Sequence, residues 1–123
     1  AIESINYAVS LLRAKPDRAL WIFPQGEILP NDARPFSFYH GAARITKKLE
    51  KCEAVPVAMR YEFRGEFKPE IFVRLGAHQV IQTDQNTDIK SLTKNFEANL
   101  TGVLDDLKND ILNKNLASYC KII

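Results

Sequence analysis

Apolar positions in the first third of the chain follow two patterns, a helical spacing and then a continuous run. The helical stripe recurs every three or four residues and stops before Pro16, which predicts a first helix. Its members are Ile2, Ile5, Val9 and Leu12. Residues 19–23 form an unbroken apolar run, typical of a strand covered on both faces of a sheet. Residues 24–37 contain three prolines and predict a long loop, and ordered loops of that length often carry function.

The middle of the chain predicts a strand–helix–strand unit. Helical spacing returns over residues 37–51, and residues 54–61 form a second apolar strand. A strand, a helix and a strand within about forty residues predict a right-handed βαβ unit with parallel strands. Pro56 cannot donate a hydrogen bond to a sheet, so it predicts an edge position or a bulge in that strand.

The last third predicts one more strand and one long helix. A turn at residues 64–66 precedes a third strand at residues 70–75. Thr87 or Asp88 can cap the final helix, whose apolar stripe has a 3.6-residue period. The stripe consists of Leu92, Phe96, Leu100, Val103, Leu107 and Ile111. The whole pattern predicts an α/β fold, with a partly parallel sheet and flanking helices built from the βαβ unit, a further strand and a long C-terminal helix.

Length, charge and cysteine content narrow the classes of protein. The 123 residues predict a single domain, residues 1–123, that buries roughly two-thirds of its unfolded surface. A net charge of +2 is too small to indicate nucleic acid as a partner. The two cysteines have no metal or redox spacing and suit a reducing compartment. Because a helical pattern begins at Ala1 without a methionine, we expect a piece of a longer protein.

Two short motifs carry the candidate chemistry. The segment Phe23-Pro24-Gln25-Gly26-Glu27 ends the first predicted strand in a Pro-x-Gly turn, and Val55-Pro56-Val57-Ala58 lies in the second. Gly41 lies near the start of the helix between them. The order and spacing of these segments resemble the third and fourth sequence blocks of the glycerolipid acyltransferase family, which acylates lysophosphatidic acid and related acceptors. The resemblance covers roughly residues 1–76.

This resemblance implies a 1-acylglycerol-3-phosphate acyltransferase-like activity, in which a fatty acyl group moves from acyl-CoA or acyl carrier protein to a lipid hydroxyl. In the family, a His-x4-Asp pair supplies the general base and the carboxylate that orients it. The present sequence contains no such pair. We therefore expect the catalytic residues upstream of Ala1, an acceptor-binding role for this chain, and neither a cofactor nor a metal. The family also implies a cytoplasmic location, peripheral to the inner face of a membrane.

The resemblance assigns acceptor binding to Gln25, Gly26, Glu27, Gly41 and Pro56. Family members carry Glu, Thr and Arg at positions 25, 27 and 28, and often Lys at position 39. This chain instead has Gln25, Glu27, Ile28 and Tyr39. It therefore lacks the arginine and the lysine that suit a phosphate. The acceptor is then another lipid hydroxyl, or its phosphate is held by Arg34, Arg44 or Lys47.

The residues leave several alternatives open. His40, beside Gly41, is either an improvised base or a surface or capping residue, and the positive end of a helix disfavours its charged form. A module that kept the fold and lost the chemistry would bind lipid or protein. A nucleotide-binding unit is disfavoured because no Gly-x-Gly-x-x-Gly follows the first strand. A truncated sheet exposes strand edges, which predicts self-association.

Overall fold

The computed structural model of the chain describes residues 1–65 and 67–123. Its helices are α1 (Ile2–Ala14), α2 (Gly41–Leu49) and α3 (Ile89–Leu112). Its strands are β1 (Lys51–Ala54), β2 (Val57–Glu62), β3 (Glu70–Leu75) and β4 (Gln79–Gln82). The predicted turn at residues 64–66 includes Glu66, which lies outside the described residues.

The four strands form two separate antiparallel pairs. β2 pairs with β3 along its whole length, from Val57 opposite Leu75 to Glu62 opposite Glu70. β1 pairs with β4 in the same antiparallel sense. In the described part of the chain no strands run parallel, so the predicted partly parallel sheet with a βαβ unit is wrong. A short connection is enough to join antiparallel neighbours such as β2 and β3, whereas parallel neighbours need a long crossover.

Residues 19–23 do not form the buried strand that their composition predicts. They belong to none of the strands that the described residues form. Trp21 is 67% exposed and Phe23 is 69% exposed, so the prediction that both are core residues is also wrong. A continuous apolar run indicates a strand with two covered faces, but the cover must come from neighbouring elements, and the sequence of the run does not encode those neighbours.

Pro56 divides the second predicted strand in two. β1 ends at Ala54 and β2 begins at Val57, so residues 54–61 contribute to two different sheets. The Pro56 carbonyl accepts a hydrogen bond from the Gly76 N–H at 2.8 Å. Because proline lacks a backbone donor, it is poorly suited to continue the sheet and marks the point where the chain changes sheets.

Helix α3 supplies one side of the core, as its apolar period predicts. Its first turn is capped by Asp88, whose side chain accepts a hydrogen bond from the Ser91 N–H at 3.0 Å. Leu104, Leu107 and Ile111 are buried in the core. They pack with Phe36, Phe38 and Ala58, and the partly buried residues around them are Phe72, Phe96, Leu100, Val103, Leu116 and Tyr119. The loop before α2 therefore contributes two of the central aromatic side chains.

Candidate functional site

The Pro-x-Gly turn lies against the start of α2. The Tyr39 N–H donates to the Pro24 carbonyl at 2.9 Å, and the Gly26 N–H donates to the Phe23 carbonyl at 3.3 Å. Gly26 has a φ of +69°, and a Cβ at this position would collide with the Tyr39 ring. The backbone conformation thus favours glycine at position 26, and a residue with a Cβ would also have to displace the exposed Tyr39 ring. Because Tyr39 lies two residues before Gly41, the turn and the helix start are neighbours.

The two polar residues of the turn present their side chains without fixed partners. Gln25 is half-buried and Glu27 is exposed. Neither side chain makes a hydrogen bond or ion pair to any residue that the structure describes. Their amide and carboxylate groups are therefore available to a bound molecule, and their role in binding an acceptor hydroxyl stays a prediction.

Charged residues hold the loop before α2 in place. Asp32 accepts two hydrogen bonds from the guanidinium of the buried Arg60, at 2.8 and 3.2 Å, and Lys108 of α3 lies 3.3 Å from it. This contact with Arg60 is the main cause that lowers the pKa of Asp32 from its ordinary 3.8 to about 2. Arg60 also pairs with Glu62 on its own strand. The loop is thereby tied to both β2 and α3.

Arg34, a predicted phosphate ligand, is engaged in the same anchoring. Its guanidinium donates to Asp105 of α3 at 3.0 Å and to the carbonyls of its own loop. The same group lies 4.5 Å above the Phe36 ring. The Arg34 guanidinium already pairs with a carboxylate and lies over an aromatic ring, so few of its donors are free to bind a phosphate. Its contacts therefore indicate a structural role.

The other two predicted phosphate ligands line one cavity of about 530 Å³. The cavity lies between α1, α2 and the segment that joins β4 to α3. Its lining is apolar on one side and basic on the other: Ile2, Ile5 and Ile89 are joined by Arg44, Lys47, Lys48, Glu50, Thr83, Asp84 and Gln85. The Lys47 ammonium donates to the Thr87 carbonyl at 2.8 Å, which leaves two of its three donors for other partners.

The structure does not bring all predicted acceptor residues into one pocket. Within the described residues, Gln25, Gly26, Glu27, Gly41 and Pro56 line neither this cavity nor a second one of about 500 Å³ beside α1. Pro56 packs instead near Gly76 and Val103. Ile2 and Ile5 of this cavity were missed as site residues because their spacing in α1 is equally typical of a core stripe.

His40 is fixed by α3 rather than acting as a side-chain cap of α2. Its Nδ1 lies 3.0 Å from the hydroxyl of the buried Thr93. That hydroxyl donates to the Ile89 carbonyl at 2.9 Å, so it accepts from an Nδ1–H of His40. The Glu97 carboxylate accepts from the Phe38 N–H, which is the main cause that lowers its pKa, and the Lys94 ammonium at 3.1 Å lowers it further. His78 is an exposed loop residue 3.5 Å from Glu53.

Two further observations bear on cofactors and membranes. In residues 1–65 and 67–123 no three His, Cys, Asp or Glu side chains come together in a group that could hold a metal ion. The absence of a cofactor stays a prediction. None of the helices in these two ranges combines the length and the apolar character that crossing a bilayer requires.

Comparisons with protein-family models, with curated proteins and with solved structures give no match to this chain. The resemblance to the glycerolipid acyltransferases therefore depends on the sequence motifs alone, and the geometry of the turn and of the cavity is the independent ground for a functional proposal.

Proposed function

We propose that this chain is the acyl acceptor-binding portion of an acyltransferase that moves a fatty acyl group from acyl-CoA or acyl carrier protein to the hydroxyl of a lysophospholipid or related glycerolipid. The observation that carries the proposal is the cavity of about 530 Å³ that combines three isoleucines with three basic residues. An amphiphilic anion needs both kinds of surface, because its acyl chain must leave water while its headgroup keeps a counter-charge.

The polar side of the cavity supports a phosphate rather than a neutral headgroup. Arg44 and Lys48 are exposed, and their side chains form no ion pair within the described residues. Arginine offers a planar fork of donors and lysine a point charge, and both suit phosphate oxygens. Glu50 and Asp84 lie on the same rim, so the lining keeps one net positive charge from three cations and two carboxylates.

The turn at Gly26 supports the placement of the reacting hydroxyl near the start of α2. Gly41 and Lys48 lie at opposite ends of α2, about 10 Å apart along its axis at 1.5 Å per residue. A headgroup held at Arg44 and Lys48 would place its glycerol along α2, towards the helix start that lies against the Gly26 turn. In this arrangement α2 positions the acceptor. The general base is supplied by another part of the enzyme.

A binding titration tests the proposal. Lysophosphatidic acid, kept below its micelle concentration, should bind the full chain more tightly than an uncharged monoacylglycerol of the same acyl length. Arg44→Gln should weaken binding of the anionic lipid roughly tenfold, since a lost charge-assisted contact is worth about 1.5 kcal/mol, and should leave the uncharged lipid unaffected. Isothermal calorimetry gives both affinities.

Lys51→Gln is the matched control, because Lys51 is an exposed cation near α2 that does not line the cavity. Equal losses in the Arg44 and Lys51 variants would indicate general attraction between charges and would contradict the proposed site. Equal affinity for the anionic and the uncharged lipid would contradict the phosphate assignment. Binding of neither lipid would leave the rival account, a non-catalytic protein-binding module, as the better one.

A further inference from the structure

The chain exposes more surface than a compact protein of its mass. Its accessible surface is 9304 Å² for 14.0 kDa. Folded monomers of that mass expose about 6,700 Å² by the usual scaling of area with mass. The surplus is about 2,600 Å², more than the roughly 800 Å² that each partner contributes to a standard stable interface. The area is therefore sufficient for a second polypeptide to be bound.

Residues 19–23 contribute a run of adjacent apolar side chains to that exposed surface and also carry unpaired backbone groups. Leu20, Trp21, Ile22 and Phe23 are all exposed. The backbone N–H and C=O groups of residues 19–22 have no hydrogen-bond partner among the described residues. An apolar segment that lies outside the helices and strands and has free backbone groups can pair with another strand.

A second apolar face lies on the β2–β3 pair. The side chains of Val57, Met59, Tyr61, Ile71, Val73 and Leu75 share one face of this sheet, because they alternate with the residues that pack on α3. Five of the six are exposed and none is charged. Because β2 and β3 already pair with each other, whereas residues 19–23 pair with no strand in the described residues, we regard this face as secondary to that segment.

We propose that residues 19–23 form the docking strand of a homodimer, in which they pair antiparallel with the same residues of a second copy about a two-fold axis near Trp21. The segment is suited to pairing with itself because it is apolar and uncharged throughout. Its charged flanks are also complementary in this arrangement. Lys15 and Arg18 outweigh Asp17 before the segment, Glu27 follows it, and antiparallel pairing brings the basic end of one copy to the acidic end of the other.

Sedimentation analysis of the full chain over a hundredfold concentration range tests the proposal. The mass should rise from 14.0 kDa to twice that value with increasing concentration. Trp21→Lys should raise the dissociation constant at least a hundredfold, because the two-fold axis places the introduced charges next to each other. The matched control is Tyr7→Lys on α1, since Tyr7 is 66% exposed and Trp21 is 67% exposed. Circular dichroism confirms that both variants are folded.

The remaining outcomes each overturn the proposal. A strictly monomeric particle at the highest concentration does so directly. A dimer that survives Trp21→Lys but is lost on Ile71→Lys moves the interface to the β2–β3 face. A monomer whose single tryptophan changes its emission only with vesicles of anionic lipid assigns the segment to a membrane surface instead.

Discussion

Gly26 is the residue at which sequence and structure agree most closely. The Pro-x-Gly order predicts a turn after Phe23, and the structure gives the glycine a φ of +69° and packs it against Tyr39. The partners of the charged residues were beyond prediction. Arg34 pairs with Asp105, which lies 71 positions away, and a sequence does not encode which distant carboxylate folding brings close.

Gly26→Ala should lower the free energy of unfolding by about 1–3 kcal/mol. The positive φ accounts for about 1–2 kcal/mol of that loss for a residue with a Cβ, and the Tyr39 ring must also move. Urea denaturation followed by circular dichroism gives the value. Gly102→Ala in α3 is the control, because a Cβ there meets open space and alanine favours the helix by up to ~1 kcal/mol. Equal destabilisation of the two variants would contradict this account of the turn.

Asp32 should make the stability of the chain depend on pH in the acidic range. Its pKa of about 2 in the folded chain lies below the ordinary 3.8, so the carboxylate stabilises the fold above pH ~4. That contribution is lost as the pH falls through 2. It amounts to about 1 kcal/mol, because the side chain is 52% exposed and solvent screens the ion pair.

Urea midpoints at pH 4.5 and pH 2 measure this contribution. Asp32→Asn should reduce the difference between the two midpoints, whereas Asp17→Asn should leave it unchanged, because Asp17 makes no ion pair in the described residues. A parent-like pH dependence in Asp32→Asn would show that the Arg60 contact contributes nothing to the free energy of unfolding.

At the scale of elements, the helices and β3 were predictable and the pairing of the strands was not. A 3.6-residue stripe contains the whole signal for α3, because burial of one face repeats along the helix itself. The period-two pattern of a strand indicates only that its faces differ. It names neither the neighbour nor its direction, so residues 19–23 and residues 54–61 suggested a parallel pair that the fold does not form. The polar ends of β4 concealed that strand altogether.

Leu107→Ala should lower the free energy of unfolding by about 2–5 kcal/mol. Leu107 is the largest fully buried side chain in the described residues, and its removal leaves a cavity between α3 and the loop aromatics. Leu112→Ala on the same helix is the matched control, because Leu112 is exposed and its loss leaves no cavity. Thermal or urea unfolding compares the two, and similar losses would place the centre of the core elsewhere.

At the scale of the whole molecule, the candidate site is divided between two regions that helix α2 connects. The sequence suggested one pocket because its motifs lie close together along the chain. The cavity is lined by Ile89 of α3 as well as by residues of α1 and α2. The positions of α1 and α3 relative to α2 follow from tertiary packing rather than from any local sequence pattern. Arg44 and Lys47 were found through their charge, whereas the isoleucines beside them carried no distinguishing signal.

The chain by itself should release no coenzyme A from an acyl-CoA in the presence of lysophosphatidic acid. Neither histidine has an aspartate at the spacing of the His-x4-Asp pair, and the Nδ1 of His40 is bonded to Thr93 rather than to a carboxylate. A thiol-release assay measures the rate against a blank without protein. Turnover that is abolished by His40→Ala would contradict this expectation and would assign the base to His40.

The Lys47 ammonium connects the cavity to the beginning of α3 through its hydrogen bond to the Thr87 carbonyl, one residue before the Asp88 cap. The Thr83 hydroxyl lies against the last carbonyls of α2 from the other side of the same segment. An anion that draws the ammonium towards itself loosens this attachment, and amide hydrogens in the first turn of α3 then exchange with deuterium at a different rate. Occupancy of the cavity can thus be read from backbone protons that the bound molecule never touches.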